Sequence, residues 1–221
     1  MFKHTFLSVV AISLLAVLLG MYFSFNADRG QVLGFPWQIN KLDDGSTSIF
    51  KINLGKTTLG QAEKLFQETA ELSLFKPKEK DAVIEAYFNK VLIGGLSSKI
   101  IISFTLEKSQ LMSMYDRGVR ISTLGSGARR VTLSSSDQKE MRNAVVTAIT
   151  YLPSINLSDE LVEKRFGNPE SKVADPESGA MHWLYPEKGA DVVLHKNDKE
   201  IIVYVKPENF YKLTEPLKNK L

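Results

Sequence analysis

Apolar residues recur along the chain at helical spacing in a few short segments. From Thr58 the apolar positions keep this spacing, and Thr58 with Gln61 fits a capping box. A second short helix is predicted over 158–166, where Ser158 is a good N-cap and Gly167 is a stop signal. Both segments are therefore expected to be short, capped, amphipathic helices.

Short apolar runs separated by turn residues follow each of these helices, and they are typical of β-strands. In the first half of the chain the runs are 72–75, 82–88 and 99–106. In the second half they are 181–185, 190–195 and 200–205. A helix followed by three antiparallel strands is a compact unit that buries the helix on one sheet face. The predicted class is α+β.

The two helix-plus-sheet segments look duplicated. Alignment of Thr58 with Ser158 matches the helices without a gap, and it places Phe66 on Phe166. Repeated units need shared cores rather than shared surfaces, so we expect two tandem units, with chance similarity as the alternative. The expected organisation has four parts. Residues 1–30 form a cytoplasmic start, an anchor and a linker, and 36–118 form the first unit. A connecting hairpin with a long helix is expected at 119–152, and the second unit at 153–221.

The connecting segment contains the longest helix that the pattern predicts, over 137–152. Its apolar residues are spaced as one core stripe requires: Met141, Ala144, Val145, Ala148, Ile149 and Leu152. Pro153 would end this helix.

The segment from Thr5 to Phe25 is uncharged and strongly apolar. At 1.5 Å per residue it is about 30 Å long, which matches the hydrocarbon core of a bilayer. Lys3 precedes it, whereas the charges of Asp28 and Arg29 nearly cancel after it, so the positive-inside rule leaves the N-terminus in the cytoplasm. We expect a single-pass membrane anchor with the rest of the chain exported across that membrane. A cleaved signal peptide is the alternative.

Composition narrows the functional classes. The 221 residues are 43% hydrophobic, which is enough for a substantial core. The 28 basic and 25 acidic residues are intermixed and give a net charge of +3, which argues against a nucleic-acid-binding surface. Because there is no cysteine, disulfides and a lipid-modified cysteine are excluded.

Two short motifs in the second unit carry a family resemblance: Phe166-Gly167-Asn168-Pro169 after the helix, and His182-Trp183-Leu184-Tyr185-Pro186 on a predicted strand. Together with two short apolar strands, they make residues 157–205 resemble the small outer-membrane lipoprotein A family of the outer-membrane assembly machinery. The resemblance implies a fold shared with the β-lactamase inhibitor protein, and a role in binding proteins rather than in turning over substrates. The whole chain also resembles membrane-anchored envelope proteins of Gram-negative bacteria.

Few residues suggest catalytic chemistry. His182 and His195 lie on predicted strands near Asp191, where a metal site or an acid–base pair is one interpretation and ordinary strand histidines are the other. Since no third ligand has a recognisable spacing, no metal, cofactor or catalytic residue is assigned.

Arg117, Arg120, Arg129 and Arg130 form the densest basic cluster, around a predicted hairpin whose loop is 125–127. The loop lacks the lysine and the hydroxyl residue of a phosphate-binding P-loop. The cluster is a candidate patch for anionic lipid headgroups or an acidic partner, and a solvated surface is the alternative.

Trp183 and Tyr185 alternate with His182 and Leu184, so the two pairs are expected on opposite sheet faces. The aromatic pair is a candidate recognition surface, with a place in the core as the alternative.

These observations favour a membrane-anchored periplasmic module that binds protein partners in envelope assembly or maintenance, without nucleic acid. The alternative is a hydrolase of peptidoglycan or another envelope polymer. Such an enzyme needs paired carboxylates or a metal, and only Glu85 and Glu187 are nominated.

The first prediction concerns the anchor. Because 5–25 is long enough to span and lacks a clear cleavage site, the mature protein should keep its N-terminus and fractionate with membranes. N-terminal sequencing that starts anywhere between Gly20 and Gly34 would contradict this.

Overall fold

A computed structural model describes residues 33–195 and 198–218. The predicted anchor at 5–25 lies outside the described residues, and no described helix is long and apolar enough to cross a membrane. In the described residues the chain is an α+β protein with five α-helices and two β-sheets, which confirms the predicted class. Leu33–Leu221 cluster as one compact unit.

The elements are numbered in chain order. The α-helices of the described residues are α1 Leu59–Phe66, α2 Lys108–Asp116, α3 Ser135–Met141, α4 Asp159–Phe166 and α5 Tyr211–Lys218. A small sheet contains β1 Asn40–Lys41, β2 Thr47–Ile49 and β3 Ile52–Asn53. The strands of the large sheet are β4 Glu71–Lys76, β5 Val83–Ile93, β6 Leu96–Phe104, β7 Arg120–Thr123, β8 Arg129–Thr132, β9 Val146–Leu152, β10 Ser171–Ala174, β11 Met181–Tyr185, β12 Ala190–Leu194 and β13 Ile201–Val205.

The large sheet is antiparallel throughout, in the order β10-β11-β12-β13-β9-β6-β5-β4-β8-β7. All six predicted apolar runs, and the hairpin of β7 and β8, are strands of this sheet. The pattern did not predict β10 or α5.

The predicted long helix over 137–152 is wrong. Its first part belongs to α3, whereas Val146–Leu152 form β9, which pairs with both β6 and β13. Three features explain the error. A short run of apolar residues does not by itself distinguish a buried helix from a buried strand, and five of the six residues at 145–150 are β-branched. Hydrogen bonds to two neighbouring strands then outweigh a weak helix propensity. The segment predicted as a connector is thus the strand that joins the two halves of one sheet.

The strand register separates two faces of the large sheet. Ala86, Ile102, Ile149 and Tyr204 lie in one row across four strands, and all are fully buried on what we name the closed face. The adjacent row, on what we name the open face, contains Tyr87, Ile101, Thr150 and Val203, and every member is only half-buried.

Most of the packing lies on the closed face. The small sheet and helices α1 to α4 all contribute side chains to a single large core there. The Tyr204 hydroxyl donates a buried hydrogen bond of 2.8 Å to the Pro36 carbonyl oxygen, which ties the start of the described chain to this core. On the open face, α5 is the single helix of the described chain with a core contact, through Leu213 and Leu217.

Helices α1 and α4 begin and pack in matching ways. Thr58 and Gln61 form the predicted capping box, and the Ser158 hydroxyl accepts a hydrogen bond from the Leu161 N–H at 3.2 Å, so both predicted N-caps are confirmed. The last ring of α1, Phe66, packs edge-on against Phe88 at 5.0 Å between centroids. The last ring of α4, Phe166, packs against Tyr185 at 5.7 Å. Each ring therefore contacts an aromatic residue on the second strand after its helix.

The second prediction tests these rings. Because Phe66 and Phe166 are both buried, each change to alanine should lower the free energy of unfolding by about 3–5 kcal/mol, the usual cost of a lost ring and its cavity. Urea titration measures this. Leu92→Ala, at an exposed position of β5, is the control and should cost less than about 0.5 kcal/mol. Equal midpoints for Phe166→Ala and the control would show that the ring does not hold the fold.

Candidate functional site

The open face presents a mixed row of side chains in the middle of the large sheet. Tyr87, Ile101 and Thr150 are half-buried there, and neither hydrophobic cluster of the described residues includes Tyr87 or Ile101. Lys99 lies on the same face, with its ammonium 5.9 Å from the centre of the Tyr87 ring. Burial raises the pKa of the nearby Glu85 carboxyl. An aromatic, an aliphatic and a hydroxyl side chain thus lie beside charged groups on one partly exposed strip of the sheet.

A groove of about 460 Å³ lies at the other end of the open face, between α5 and strands β11 to β13. Its floor contains His182 and Asp191, which are diagonal neighbours on adjacent strands. The imidazole Nδ1 lies 2.7 Å from Asp191 Oδ2. Only 5% of the Asp191 side chain is exposed, and burial raises the pKa of this carboxyl. Asp191 Oδ1 has no hydrogen-bond partner within the described chain.

This geometry confirms that His182 and Asp191 come together, as the sequence suggested. His195 uses Nε2 to donate to the Ser178 carbonyl oxygen at 2.5 Å. Among the described residues no group of three histidines and carboxylates is placed to hold a metal ion. The pair holds the His182 imidazole at the floor of the groove, an arrangement in which an imidazole can accept a proton.

The two nominated acids lie far apart. Glu85 is on β5, whereas Glu187 is in the turn between β11 and β12. At about 4.8 Å per strand, at least four strand spacings separate them by about 19 Å. Glycoside hydrolysis uses carboxyl groups no more than about 9.5 Å apart, so these two cannot act as a pair.

The four arginines of the predicted cluster differ in their contacts in the structure. Arg117 Nη2 donates to Asp137 Oδ1 at 2.6 Å, and the Asp137 carboxyl is buried. Arg130 pairs with Glu71, and Arg129 donates to the Tyr115 hydroxyl oxygen at 2.8 Å. Arg120 is exposed, and its side chain has no hydrogen bond or ion pair to a described residue. Arg117 is thus mainly structural, and Arg120 is the member available to a partner.

Trp183 and Tyr185 lie in the core. Both rings are buried on the closed face, opposite His182 and Leu184 as the alternation predicts. The Tyr185 hydroxyl donates to the Gly167 carbonyl oxygen at 2.9 Å, and burial raises its pKa to about 12. The candidate recognition aromatics therefore present no surface to a partner in this structure.

The chain matches no protein-family model, no curated protein and no solved structure. Sequence reasoning missed the open face as a surface, although one signal was present. In β5 the buried residues Ile84, Ala86 and Phe88 alternate with the less buried Glu85 and Tyr87.

The third prediction separates Arg117 from Arg120. The hydrogen bond from Arg117 lowers the pKa of Asp137 in the folded protein. The pair therefore stabilises the fold above the unfolded pKa, and this stabilisation is lost as the pH falls through the folded pKa. Arg117→Met should raise the unfolding equilibrium constant roughly tenfold at pH 7 and flatten its pH dependence below about pH 4.

Arg120→Met is the matched control, because it removes the same charge at an exposed position without a described partner. It should leave the urea midpoint unchanged at every pH. Equal losses for the two variants would contradict the assigned roles.

Proposed function

We propose that the protein is a membrane-anchored binding or scaffold module of the periplasm, which acts through protein contacts in envelope assembly or maintenance. The observation that carries the proposal is the open face. A ten-stranded sheet has one face closed by helices and a second sheet, while the row of Tyr87, Ile101 and Thr150 stays half-exposed on the other. A broad, rigid, mixed surface of this kind suits a protein partner better than a small substrate.

The location in this proposal rests on the sequence. The apolar segment Thr5 to Phe25 would anchor the chain in the inner membrane by a single pass, and the residues between it and Leu33 would link it to the periplasmic part. An anchored sheet held near the membrane suits a scaffold, because tethering raises the effective concentration for membrane-bound partners.

We also propose that the chain contains a tandem repeat. Helix α1 precedes β4, β5 and β6, the last of which pairs with β9; helix α4 precedes β10 to β13, the last of which also pairs with β9. The matching N-caps and terminal rings support this interpretation. Kinship of residues 157–205 with the small outer-membrane lipoprotein A family belongs to the same proposal, and its support is the resemblance of the two sequence motifs.

A hydrolase of an envelope polymer remains the second candidate. The observation that favours it is the His182–Asp191 pair in the groove beneath α5. The pair would supply acid–base chemistry, with a nucleophile or water provided in the complex.

The fourth prediction tests the open face. A photo-crosslinking residue in place of Ile101 or Thr150 of the full chain, in the native envelope, should form protein adducts, because both side chains face outward from the sheet. The same group in place of Lys164, exposed on α4, is the control and should form none. Ile101→Glu should abolish the adducts from position 150 at an unchanged urea midpoint, since it puts a charge at a half-exposed position.

Equal adduct yields at positions 101, 150 and 164 would contradict the proposal. Incubation with purified peptidoglycan tests the second candidate function, the hydrolase. Release of soluble fragments by the wild type but not by Asp191→Asn would favour the hydrolase instead.

A further inference from the structure

Strand β7 is an outer edge of the large sheet. It pairs with β8 on one side, and no described strand pairs with its other side. The Leu124 N–H donates to the Ala128 carbonyl oxygen at 2.8 Å and closes the hairpin loop. Because antiparallel hydrogen bonds alternate, Ser122 and Arg120 then face β8, whereas the backbone N–H and C=O groups of Ile121 and Thr123 point to the open edge.

The side chains near this edge are unusually apolar for exposed positions. Val119 is 68% exposed and Ile121 is 49% exposed, and Leu124 is also exposed. The opposite edge of the sheet, β10, has no large apolar residue that is exposed. Within β7 itself only Ile121 is apolar, and Val119 and Leu124 flank the strand. Unpaired backbone groups beside exposed apolar side chains are a template for another strand.

The charges around β7 limit the kind of strand that can pair with it. From Gly118 to Ser136 the sequence contains three arginines and no acidic residue, and Glu71 of β4 pairs with one of them, Arg130. Arg120 projects from β7 itself and has no partner among the described residues. In the register that pairs Ile121 with Ile121 of a second copy, the Arg120 side chains of the two copies would be diagonal neighbours on one face, which disfavours that self-pairing.

We propose that an extended acidic segment of a protein partner pairs with β7 and adds an eleventh strand to the large sheet. Its backbone forms hydrogen bonds with Ile121 and Thr123, and its apolar side chains cover Val119 and Ile121. Its carboxylates form ion pairs with Arg120. This inference rests on the proposed function, because it takes a protein partner as given and assigns the chemistry of one segment of it.

The test uses the full chain in detergent micelles and a capped eight-residue peptide in which valine and glutamate alternate. The peptide should slow amide exchange at Ile121 and Thr123 but not along β10, measured residue by residue by NMR. A peptide with lysine in place of glutamate should bind at least tenfold more weakly. Arg120→Glu should weaken binding of the glutamate peptide roughly three- to tenfold, whereas Lys164→Glu, the matched charge reversal on α4, should not.

Ile121→Pro should abolish binding, because it removes an outward N–H while leaving the bonds between β7 and β8. If that variant does not fold, the Arg120→Glu variant and the residue-by-residue amide exchange pattern still test the proposal. Equal binding of both peptides, protection along β10, or no effect of Arg120→Glu would overturn the proposal. So would protection by phosphatidylglycerol vesicles without the peptide, or protection that grows with protein concentration alone.

The two proposals fail separately. Adducts from positions 101 and 150 with no peptide effect at β7 would reject the edge and leave the open face standing. Peptide protection at β7 without those adducts would reject the open face as the binding surface.

Discussion

The pairing of β9 with β6 on one side and β13 on the other is the interaction on which the rest of the structure depends. Without it, each half of the large sheet would expose an unpaired inner edge. The start of β9 is also fixed to the chain that enters α1, because the Val146 N–H donates to the Thr57 carbonyl oxygen at 2.9 Å and the Gly55 N–H donates to the Val146 carbonyl oxygen at 2.8 Å. β9 thus fixes the position of both halves of the large sheet and of the chain that leaves the small sheet.

The same pairing decides which residues a partner can reach. Side chains alternate along a strand, so a slip of one residue in the register of β9 would move its own side chains to the opposite faces of the sheet. The observed register puts Ile149 in the core and Thr150 on the open face. It also places the half-exposed Ile101 beside Thr150, and the buried Asp191 in the same sheet row beyond Val203. The proposed binding surface and the groove under α5 are therefore two parts of one face.

Local chemistry could be predicted from the sequence, and long-range pairing could not. The caps at Thr58 and Ser158 depend on residues three positions away, so the pattern identified them. β9 was missed because its apolar spacing fits a helix until two partner strands are known. The contact between His182 and Asp191 could be predicted because the two residues lie on adjacent strands of one hairpin. The partners of Arg117 and Arg130 could not be predicted, because no sequence spacing indicates the buried Asp137 or the distant Glu71.

The absence of cysteine allows a direct test, because each introduced thiol is then unique. Thr150→Cys lies on the open face, Ala86→Cys on the closed face and Lys164→Cys on the exposed surface of α4. Maleimide labelling should modify Thr150→Cys in the purified protein but not in the native envelope, where a partner covers it. Lys164→Cys should react in both settings and Ala86→Cys in neither. Equal labelling of Thr150→Cys in the two settings, or none in the purified protein, would contradict the account of an open binding face.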